Sequence, residues 1–302
     1  MDEQGSEEIR YVTSRDGTAL AYRATGVGSA PEAEAGSGPP VVMVDGALGV
    51  GTAPMAASLG VPLRPDFTVV DYDRRGRGRS GDTPPYAVAR EVEDLAALID
   101  AVGGRAHLCG FSSGGALALE AADALPHRVV GLALYEPPFV LDADRPPLPD
   151  DFAARVREAV AAGRRDEAVT LFLTEALLVP PEAVPSIREP AEPPTVEGAD
   201  GPVPVPTWRE MEEIAHTLAY DAEILDGRVS GRPLPSGSWP HVTAPTLALA
   251  GGESEPSAHT AARAVAEAIP GARYRVLEGQ GHRPAPRALA PLLRDFFGGP
   301  ER

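Results

Sequence analysis

The chain has 302 residues, 43% of them apolar, which is long enough for one large domain or two small ones and typical of a soluble globular protein. Its 27 basic and 44 acidic residues give a net charge of −17, which argues against sequence-independent binding to nucleic acid or anionic lipid. The one cysteine, Cys109, excludes an intramolecular disulfide and a metal cluster built on cysteines.

Short apolar runs predict the strands of a buried sheet. Residues 9–25 predict two strands around a turn, and the Gly- and Pro-rich residues 26–40 predict a surface loop. Continuous apolar runs are typical of strands that are buried on both faces. Such runs follow at residues 41–44, 67–70, 106–109, 129–135, 246–250 and 274–277.

Helical patterns alternate with these runs. Residues 88–102 carry their apolar side chains on one stripe, and residues 113–125, 258–269 and 289–297 have similar patterns. Alternation of buried strands with amphipathic helices predicts an α/β fold, with a mostly parallel sheet and helices on both faces.

The alternation stops between residues 137 and 242. Helical patterns at 152–162, 167–178 and 208–225 are separated there by Pro-rich connectors such as 190–206, and no buried-strand run is evident. The sequence therefore predicts a core domain of residues 1–136 and 243–302, and a helical cap of residues 137–242 inserted after the sixth strand.

A serine lies between the fifth predicted strand and a predicted helix, in Gly110-Phe111-Ser112-Ser113-Gly114. The pattern G-x-S-x-G in this context is typical of a sharp turn that exposes a nucleophilic serine, here Ser112. The glycines allow neighbouring backbone to approach closely, and the helix that starts at Ser113 directs free N–H groups to the same place. The alternative is an ordinary Gly-rich turn between a strand and a helix.

With this motif the chain resembles the α/β-hydrolase superfamily, and more loosely its non-haem haloperoxidase- and esterase-like members, from about residue 9 to residue 297. Residues 73–80, Asp-Arg-Arg-Gly-Arg-Gly-Arg-Ser, are similar to the D-x-R-G-x-G-x-S segment of that superfamily. We interpret this basic run as a turn that shapes the scaffold rather than as a phosphate site.

The resemblance also implies an oxyanion hole. Val44-Asp45-Gly46-Ala47-Leu48 lies where the superfamily has a loop that often reads H-G. Carried over, the donors are the backbone amides of Ala47 and Ser113. Asp45 stands where histidine is common, and this departure should not remove a donor that belongs to the main chain.

The general base implied by the resemblance is His282, in Glu278-Gly279-Gln280-Gly281-His282 just after the last predicted strand. Its glycine-flanked loop would let the imidazole reach Ser112. The other five histidines are interpreted as surface or packed residues. They are His107, His127, His216, His241 and His259.

The sequence does not decide which acid orients the base. The usual superfamily position reads Gly252-Glu253-Ser254-Glu255-Pro256, which contains no aspartate. Haloalkane dehalogenases carry the acid after the sixth strand, where this chain has Glu136 followed by two prolines that fix the backbone. Glu136 is the preferred candidate, Glu253 or Glu255 the alternative, and a dyad or another acid a third possibility.

These residues predict a cofactor-independent serine hydrolase acting on a carboxylic ester or a similar acyl substrate. In it Ser112 attacks, His282 transfers the proton, Glu136 holds His282, and Ala47 and Ser113 bind the oxyanion. The alternatives are C–C bond hydrolysis, perhydrolysis or lyase chemistry in the same pocket, and a non-catalytic ligand-binding protein. Apolar cap residues (Leu171, Phe172, Leu177, Leu178) either line a hydrophobic pocket or pack onto the sheet domain.

The expected partner is a small-molecule substrate. No histidine pair has metal-ligand spacing, and no dinucleotide or Walker pattern is present, so we expect no metal and no cofactor. An acidic N-terminus without a signal-peptide pattern and apolar runs too short to span a bilayer predict a cytoplasmic protein that binds no membrane. The sequence leaves the oligomeric state open.

Overall fold

A computed structural model describes residues 8–26, 39–49, 55–190, 195–198 and 201–299 of the chain. The described residues form two sheets. The strands are β1 (Arg10–Thr13), β2 (Ala19–Gly26), β3 (Val41–Val44), β4 (Thr68–Tyr72), β5 (Ala106–Phe111), β6 (Val129–Tyr135), β7 (Thr195–Gly198), β8 (Gly201–Pro204), β9 (Thr246–Gly251) and β10 (Arg273–Leu277). The predicted loop at 26–40 falls mostly outside the described residues.

Helices separate most of these strands. They are α1 (Met55–Gly60), α2 (Val88–Ala101), α3 (Ser113–Ala124), α4 (Phe152–Ala161), α5 (Arg165–Leu171), α6 (Val184–Arg188), α7 (Trp208–Glu213), α8 (Leu218–Ile224), α9 (Pro256–Ala268) and α10 (Pro286–Phe297). None of the helices in the described ranges is both long and apolar enough to cross a membrane.

The main sheet has eight strands in the order β1-β2-β4-β3-β5-β6-β9-β10. The pairs β1–β2 and β2–β4 are antiparallel, and the other five pairs are parallel. The predicted mostly parallel sheet is therefore confirmed.

Helices cover both faces of the sheet. Successive side chains of a strand point to opposite faces, so neighbouring residues of β3 pack against different helices. Val42 and Val44 of β3 belong to an apolar cluster with residues of α2, α3 and α9. Val41 and Met43 belong to a second cluster with residues of α1 and α10. The continuous apolar runs in the sequence thus reflect burial on both faces.

The parallel register brings the carboxyl ends of four strands to one edge of the sheet. Phe111 at the end of β5 pairs with Tyr135 at the end of β6, and Tyr135 pairs with Leu249 of β9. Leu277 at the end of β10 pairs with Gly251 of β9. Ligands of open α/β sheets bind outside this edge, so the loops that follow β5, β6, β9 and β10 are the ones that can form a site.

Residues 137–242 lie between β6 and β9 and contain α4 to α8 together with a small sheet. The helices enclose an apolar cluster of their own, which includes Phe152, Val156, Val169 and Leu218. We call this segment the insertion. Its division from a core domain of residues 1–136 and 243–302 stays a prediction.

The insertion differs from the sequence prediction in two details. The connector at 190–206 contains the antiparallel pair β7–β8, which the prolines concealed; a two-stranded ladder tolerates proline because its outer edges need no N–H. The helical pattern at 208–225 is broken at Ile214 into α7 and α8, with a 3₁₀ turn at Ala215–Thr217 between them.

Candidate functional site

Ser112 occupies a strained turn between β5 and α3. Its backbone has φ 52° and ψ −128°, a region that residues other than glycine rarely adopt. A Cβ on Gly114 would lie 2.3 Å from the carbonyl oxygen of Val44, and a Cβ on Gly110 would lie 2.6 Å from that of Gly114. The two glycines are therefore required for the close approach that keeps Ser112 on this sharp turn.

The loop after β3 packs directly against this turn. A Cβ on Gly46 would lie 3.0 Å from the Cβ of Ser112. Ala47, Ser112 and Ser113 all line the same cavity. Ser113 is the first residue of α3, so its amide belongs to the group of N–H donors that a helix leaves without an internal partner.

Glu136 and His282 meet at this edge of the sheet. The Oε2 of Glu136 lies 2.6 Å from the Nδ1 of His282. The other carboxylate oxygen, Oε1, accepts hydrogen bonds from the backbone N–H of Gly251 at 2.7 Å and from the hydroxyl of Ser254 at 2.5 Å. Glu136 is 3% exposed and, like Ser112, has a positive φ, of 49°.

These hydrogen bonds keep the Glu136 carboxylate ionised. Burial alone would raise its pKa, but the hydrogen bond and charge of His282, with the bonds from Ser254 and Gly251, outweigh burial and hold the pKa below its ordinary value. The imidazole of His282 therefore faces a negative charge on its Nδ1 side, and its other nitrogen remains for the cavity.

The loop that carries His282 is fixed by its neighbours. The buried hydroxyl of Tyr135 donates to the carbonyl oxygen of Gly281 at 2.6 Å. The backbone N–H of Glu253 donates to the carbonyl of Gln280 at 2.9 Å, and the Gln280 side chain accepts from the N–H of Ala285 at 2.7 Å. The loop of His282 thus has a defined position relative to β6 and β9.

The alternative acids lie elsewhere. The Glu255 carboxylate is 3.9 Å from a guanidinium nitrogen of Arg145 and is largely exposed. Among the described residues, no hydrogen bond joins Glu253 or Glu255 to His282. Ser254, between them, contacts the Glu136 carboxylate instead.

Three arginines of the basic run after β4, Arg74, Arg75 and Arg77, are buried. Arg74 bonds Glu91 through two nitrogens at 2.8 Å and Asp221 of α8 at 2.8 Å. Arg77 bonds the other oxygen of Asp221 at 2.6 Å. Burial opposes ionisation of Asp221, but Arg77 and Arg74 outweigh it and hold the pKa of this carboxyl below its ordinary value.

This ion cluster also contacts the backbone of the candidate oxyanion hole. Arg77 donates to the carbonyl of Gly46 at 2.6 Å, and Arg74 to that of Asp45 at 3.3 Å. The hydroxyl of Ser113 donates to Asp221 at 2.8 Å. One carboxylate of the insertion is therefore bonded to Ser113, next to Ser112, and, through Arg77, to the loop after β3.

Asp45 is buried beside the same loop. Its Oδ1 accepts the N–H of Gly46 at 3.0 Å, and its Oδ2 has no hydrogen-bond partner among the described residues. Burial raises the pKa of Asp45 to about 6, and the positive charge of Arg77 opposes this only in part.

The cavity has a volume of about 620 Å³. Ser112 and His282 form part of its wall, and the insertion supplies most of the apolar remainder. Phe172 and Leu177 line it, so two of the four apolar residues singled out in this segment from the sequence face the cavity. The apolar lining residues include Val140, Leu148, Phe152, Leu173, Ile187, Met211 and Leu225.

The remaining histidines and the cysteine lie away from this site. His107 and Cys109 are buried on β5; burial lowers the pKa of His107 to about 4 and raises that of the Cys109 thiol above its ordinary value. His216 lies 3.6 Å from Asp82, His241 contacts Asp123, and His259 contacts Tyr274. None of these residues, nor His127, lines the cavity.

The sequence reasoning did not identify Tyr135, Asp221 or Ser254 as contributors. Asp221 lies in a short helix and no pattern marks it. The basic run gives an indirect indication. Arginines that pack against the sheet need buried carboxylates as partners, and the insertion is one place where such acids can lie.

Comparison with known proteins adds family evidence. The model described as "Alpha/beta hydrolase family" matches residues 49–293. The structure of an alpha/beta hydrolase from Sphaerobacter thermophilus is 43% identical and has a TM-score of 0.78, with 95% of this chain and 100% of that chain covered.

Curated relatives match over shorter stretches. Lipase LipV of Mycobacterium tuberculosis is 38% identical over 82 residues, which are 27% of this chain and 31% of the lipase. The putative carbamate hydrolase RutD of Azorhizobium caulinodans is 40% identical over 68 residues, which are 22% of this chain and 26% of that protein. The chain thus spans less than a third of the length of these two relatives.

Proposed function

Because the chain belongs to the alpha/beta hydrolase family, we propose that it is a cofactor-independent serine hydrolase that cleaves a carboxylic ester or a similar acyl substrate. The observation that carries the proposal is the 2.6 Å contact between Glu136 and His282 beside the cavity that Ser112 lines. A serine, a base and an acid that orients the base are the groups that acyl transfer needs.

In the first half of the reaction, the Oγ of Ser112 attacks the carbonyl carbon and His282 Nε2 accepts the hydroxyl proton. Glu136 at Nδ1 fixes the tautomer of His282 and stabilises the imidazolium that forms. The negative charge passes to the carbonyl oxygen, where the amides of Ala47 and Ser113 donate to it. The bond to the leaving alcohol then breaks, and the alcohol departs with the proton from His282.

In the second half, water attacks the acyl-enzyme. His282 accepts a proton from the water, the tetrahedral intermediate forms again, and the bond to Ser112 breaks as His282 returns the proton to the serine. The products are the carboxylic acid and the regenerated enzyme.

The insertion acts in this proposal as a cap of residues 137–242 that shapes the substrate pocket. Its side chains form much of the apolar wall of the cavity that Ser112 and His282 also line, which supports a small-molecule substrate with an aliphatic or aromatic part. The names lipase and putative carbamate hydrolase among the relatives agree with hydrolysis of an acyl group.

The proposal is tested with p-nitrophenyl esters of increasing acyl length. We expect turnover by the wild type and a loss of about 1,000-fold or more in kcat/KM for Ser112→Ala. Ser186→Ala, at an exposed position of α6, is the control and should retain activity. Silence of the folded wild type towards every ester would contradict the proposal and favour C–C hydrolysis, perhydrolysis, lyase chemistry or ligand binding without catalysis.

A further inference from the structure

Arg283 is a half-buried cation in the wall of the cavity. It directly follows His282 and lines the cavity together with Ser112. Burial lowers its pKa, and the charge of Asp45 opposes this only in part. Within the part of the chain that the structure describes, no hydrogen bond or ion pair joins its guanidinium to another residue.

Apart from Asp45, the other acidic and arginine side chains of the cavity wall already have partners. Both oxygens of Asp221 are bonded to arginines, and Glu175 is paired with Arg155. Glu210 and Arg145 are bonded to the backbone instead. Glu210 accepts the N–H of Thr207 at 2.7 Å, and Arg145 donates to the carbonyl of Ala176.

Asp45 does not fill the role of partner to Arg283. No ion pair of 4.0 Å or less joins the two, and the Asp45 Oδ1 is already bonded to Gly46. Its Oδ2 is enclosed, since a Cβ on Gly49 would lie 2.6 Å from it. Arg283 is therefore a partly desolvated cation with unused donors, which costs free energy until an anion supplies the missing hydrogen bonds.

We propose that Arg283 binds a carboxylate group of the substrate, so that the preferred substrates are esters with an apolar chain between the scissile bond and a free carboxylate. This inference rests on the proposed function. The planar guanidinium matches a carboxylate through two parallel hydrogen bonds. The apolar wall of the same cavity suits the chain that separates the carboxylate from the scissile bond.

The carboxylate could belong to the acyl part or to the alcohol part of the ester, and the experiment has an arm for each. The acyl arm compares monomethyl adipate with a neutral analogue in which a methyl ketone replaces the carboxylate. The alcohol arm compares the acetate ester of an ω-hydroxy acid with that of the corresponding hydroxy ketone. In each arm the measured quantity is the ratio of kcat/KM for the anionic ester to that for the neutral one.

We expect Arg283→Gln to lower this ratio by about 10-fold or more in one arm, because a charge-assisted hydrogen bond is lost. Arg283→Lys should retain part of the ratio, since it keeps the charge without the fork. Arg287→Gln, the same change at an exposed position of α10, is the matched control and should leave the ratio unchanged. An unchanged ratio for Arg283→Gln in both arms would overturn the inference while leaving ester hydrolysis intact.

Binding separates failure of this inference from failure of the proposed function. In the Ser112→Ala background, calorimetry of the anionic and neutral esters should show tighter binding of the anionic one, and this preference should disappear when Arg283→Gln is added. If the wild type hydrolyses no ester but the binding preference depends on Arg283, the proposed reaction is wrong and the carboxylate site stands. Equal binding of both esters in every variant would overturn the carboxylate site.

Discussion

The hydroxyl of Ser254 lies 2.5 Å from the Oε1 of Glu136, so a serine in the loop after β9 holds the carboxylate that follows β6. In the superfamily that the sequence resembles, this loop is the usual place of the acid. Here the loop contributes a hydrogen-bond donor and the Gly251 N–H, and the carboxylate comes from the neighbouring strand. The two loops together present one ionised group to His282.

Replacement of Glu136 tests this arrangement. Glu136→Gln keeps the size of the side chain but removes the charge that stabilises the imidazolium, and an amide N–H at this place would favour the wrong tautomer of His282. We expect kcat to fall by about 1,000-fold or more, with a smaller change in KM, in steady-state assays. Glu253→Gln and Glu255→Gln are the controls. Normal turnover by Glu136→Gln together with loss in either control would transfer the role to that residue.

Removal of one hydroxyl tests how the base loop is positioned. Tyr135→Phe keeps the ring at the end of β6 in its apolar cluster but removes the hydrogen bond to the Gly281 carbonyl. Because a buried hydrogen bond contributes about 1 kcal/mol, we expect a modest loss of stability and a fall in kcat of about 5- to 10-fold. A variant with wild-type kcat would show that this bond does not position His282.

The bond from Ser113 to Asp221 predicts coupling between the insertion and catalysis. Ser113→Ala leaves the backbone amide in place and removes only the hydroxyl bonded to Asp221. We expect a loss of about 1 kcal/mol in the free energy of unfolding and a fall in kcat larger than the rise in KM.

Asp221→Asn should act more strongly at the same cluster. It leaves the buried Arg74 and Arg77 with less compensation, and the expected loss is about 3–5 kcal/mol in chemical denaturation. An unchanged free energy of unfolding for Asp221→Asn would show that the ion cluster does not stabilise the fold. An unchanged kcat for Ser113→Ala would show that the insertion is not coupled to catalysis through this bond.

Asp45 predicts a pH dependence of stability. Its pKa is about 6 in the folded protein against an ordinary 3.8, because burial disfavours the charge. The folded state therefore holds this proton more tightly than the unfolded state, and the contribution of Asp45 to stability falls as the pH rises from about 4 to about 6. A shift of this size corresponds to about 3 kcal/mol.

Asp45→Asn removes that titration. The free energy of unfolding of the variant, relative to the wild type, should rise by up to about 3 kcal/mol between pH 4 and pH 7 in urea denaturation. Asp150→Asn, at an exposed acid of the insertion, is measured in parallel as the control for the substitution itself. A difference for Asp45→Asn that is independent of pH would contradict the burial of an ionisable Asp45.

The strands and helices of the main sheet could be predicted because their patterns are local. The apolar run at 129–135 has the bounds of β6, and 41–44 those of β3, since a strand buried on both faces needs apolar residues at every position. The β7–β8 pair could not be predicted in this way, because a small ladder outside the main sheet has no such requirement.

The residues of the candidate site differ in how far the sequence predicts them. Ser112 lies in a motif whose glycines have a steric reason, so the motif itself carries the prediction. Glu136 remained one of several acids, because the sequence does not say which loops meet. Asp221 was missed altogether: its partners Arg74 and Ser113 are far away in the chain, and only the fold brings them together.

The central claim is that Ser112 is a nucleophile activated by His282, and labelling with a fluorophosphonate tests it most directly. After digestion with trypsin, we expect an adduct in the peptide of residues 106–128, with fragmentation that assigns it to Ser112 rather than to the adjacent Ser113. The His282→Ala variant should label far more slowly. An absence of labelling in the folded wild type, or an adduct on another serine, would show that Ser112 is not such a nucleophile.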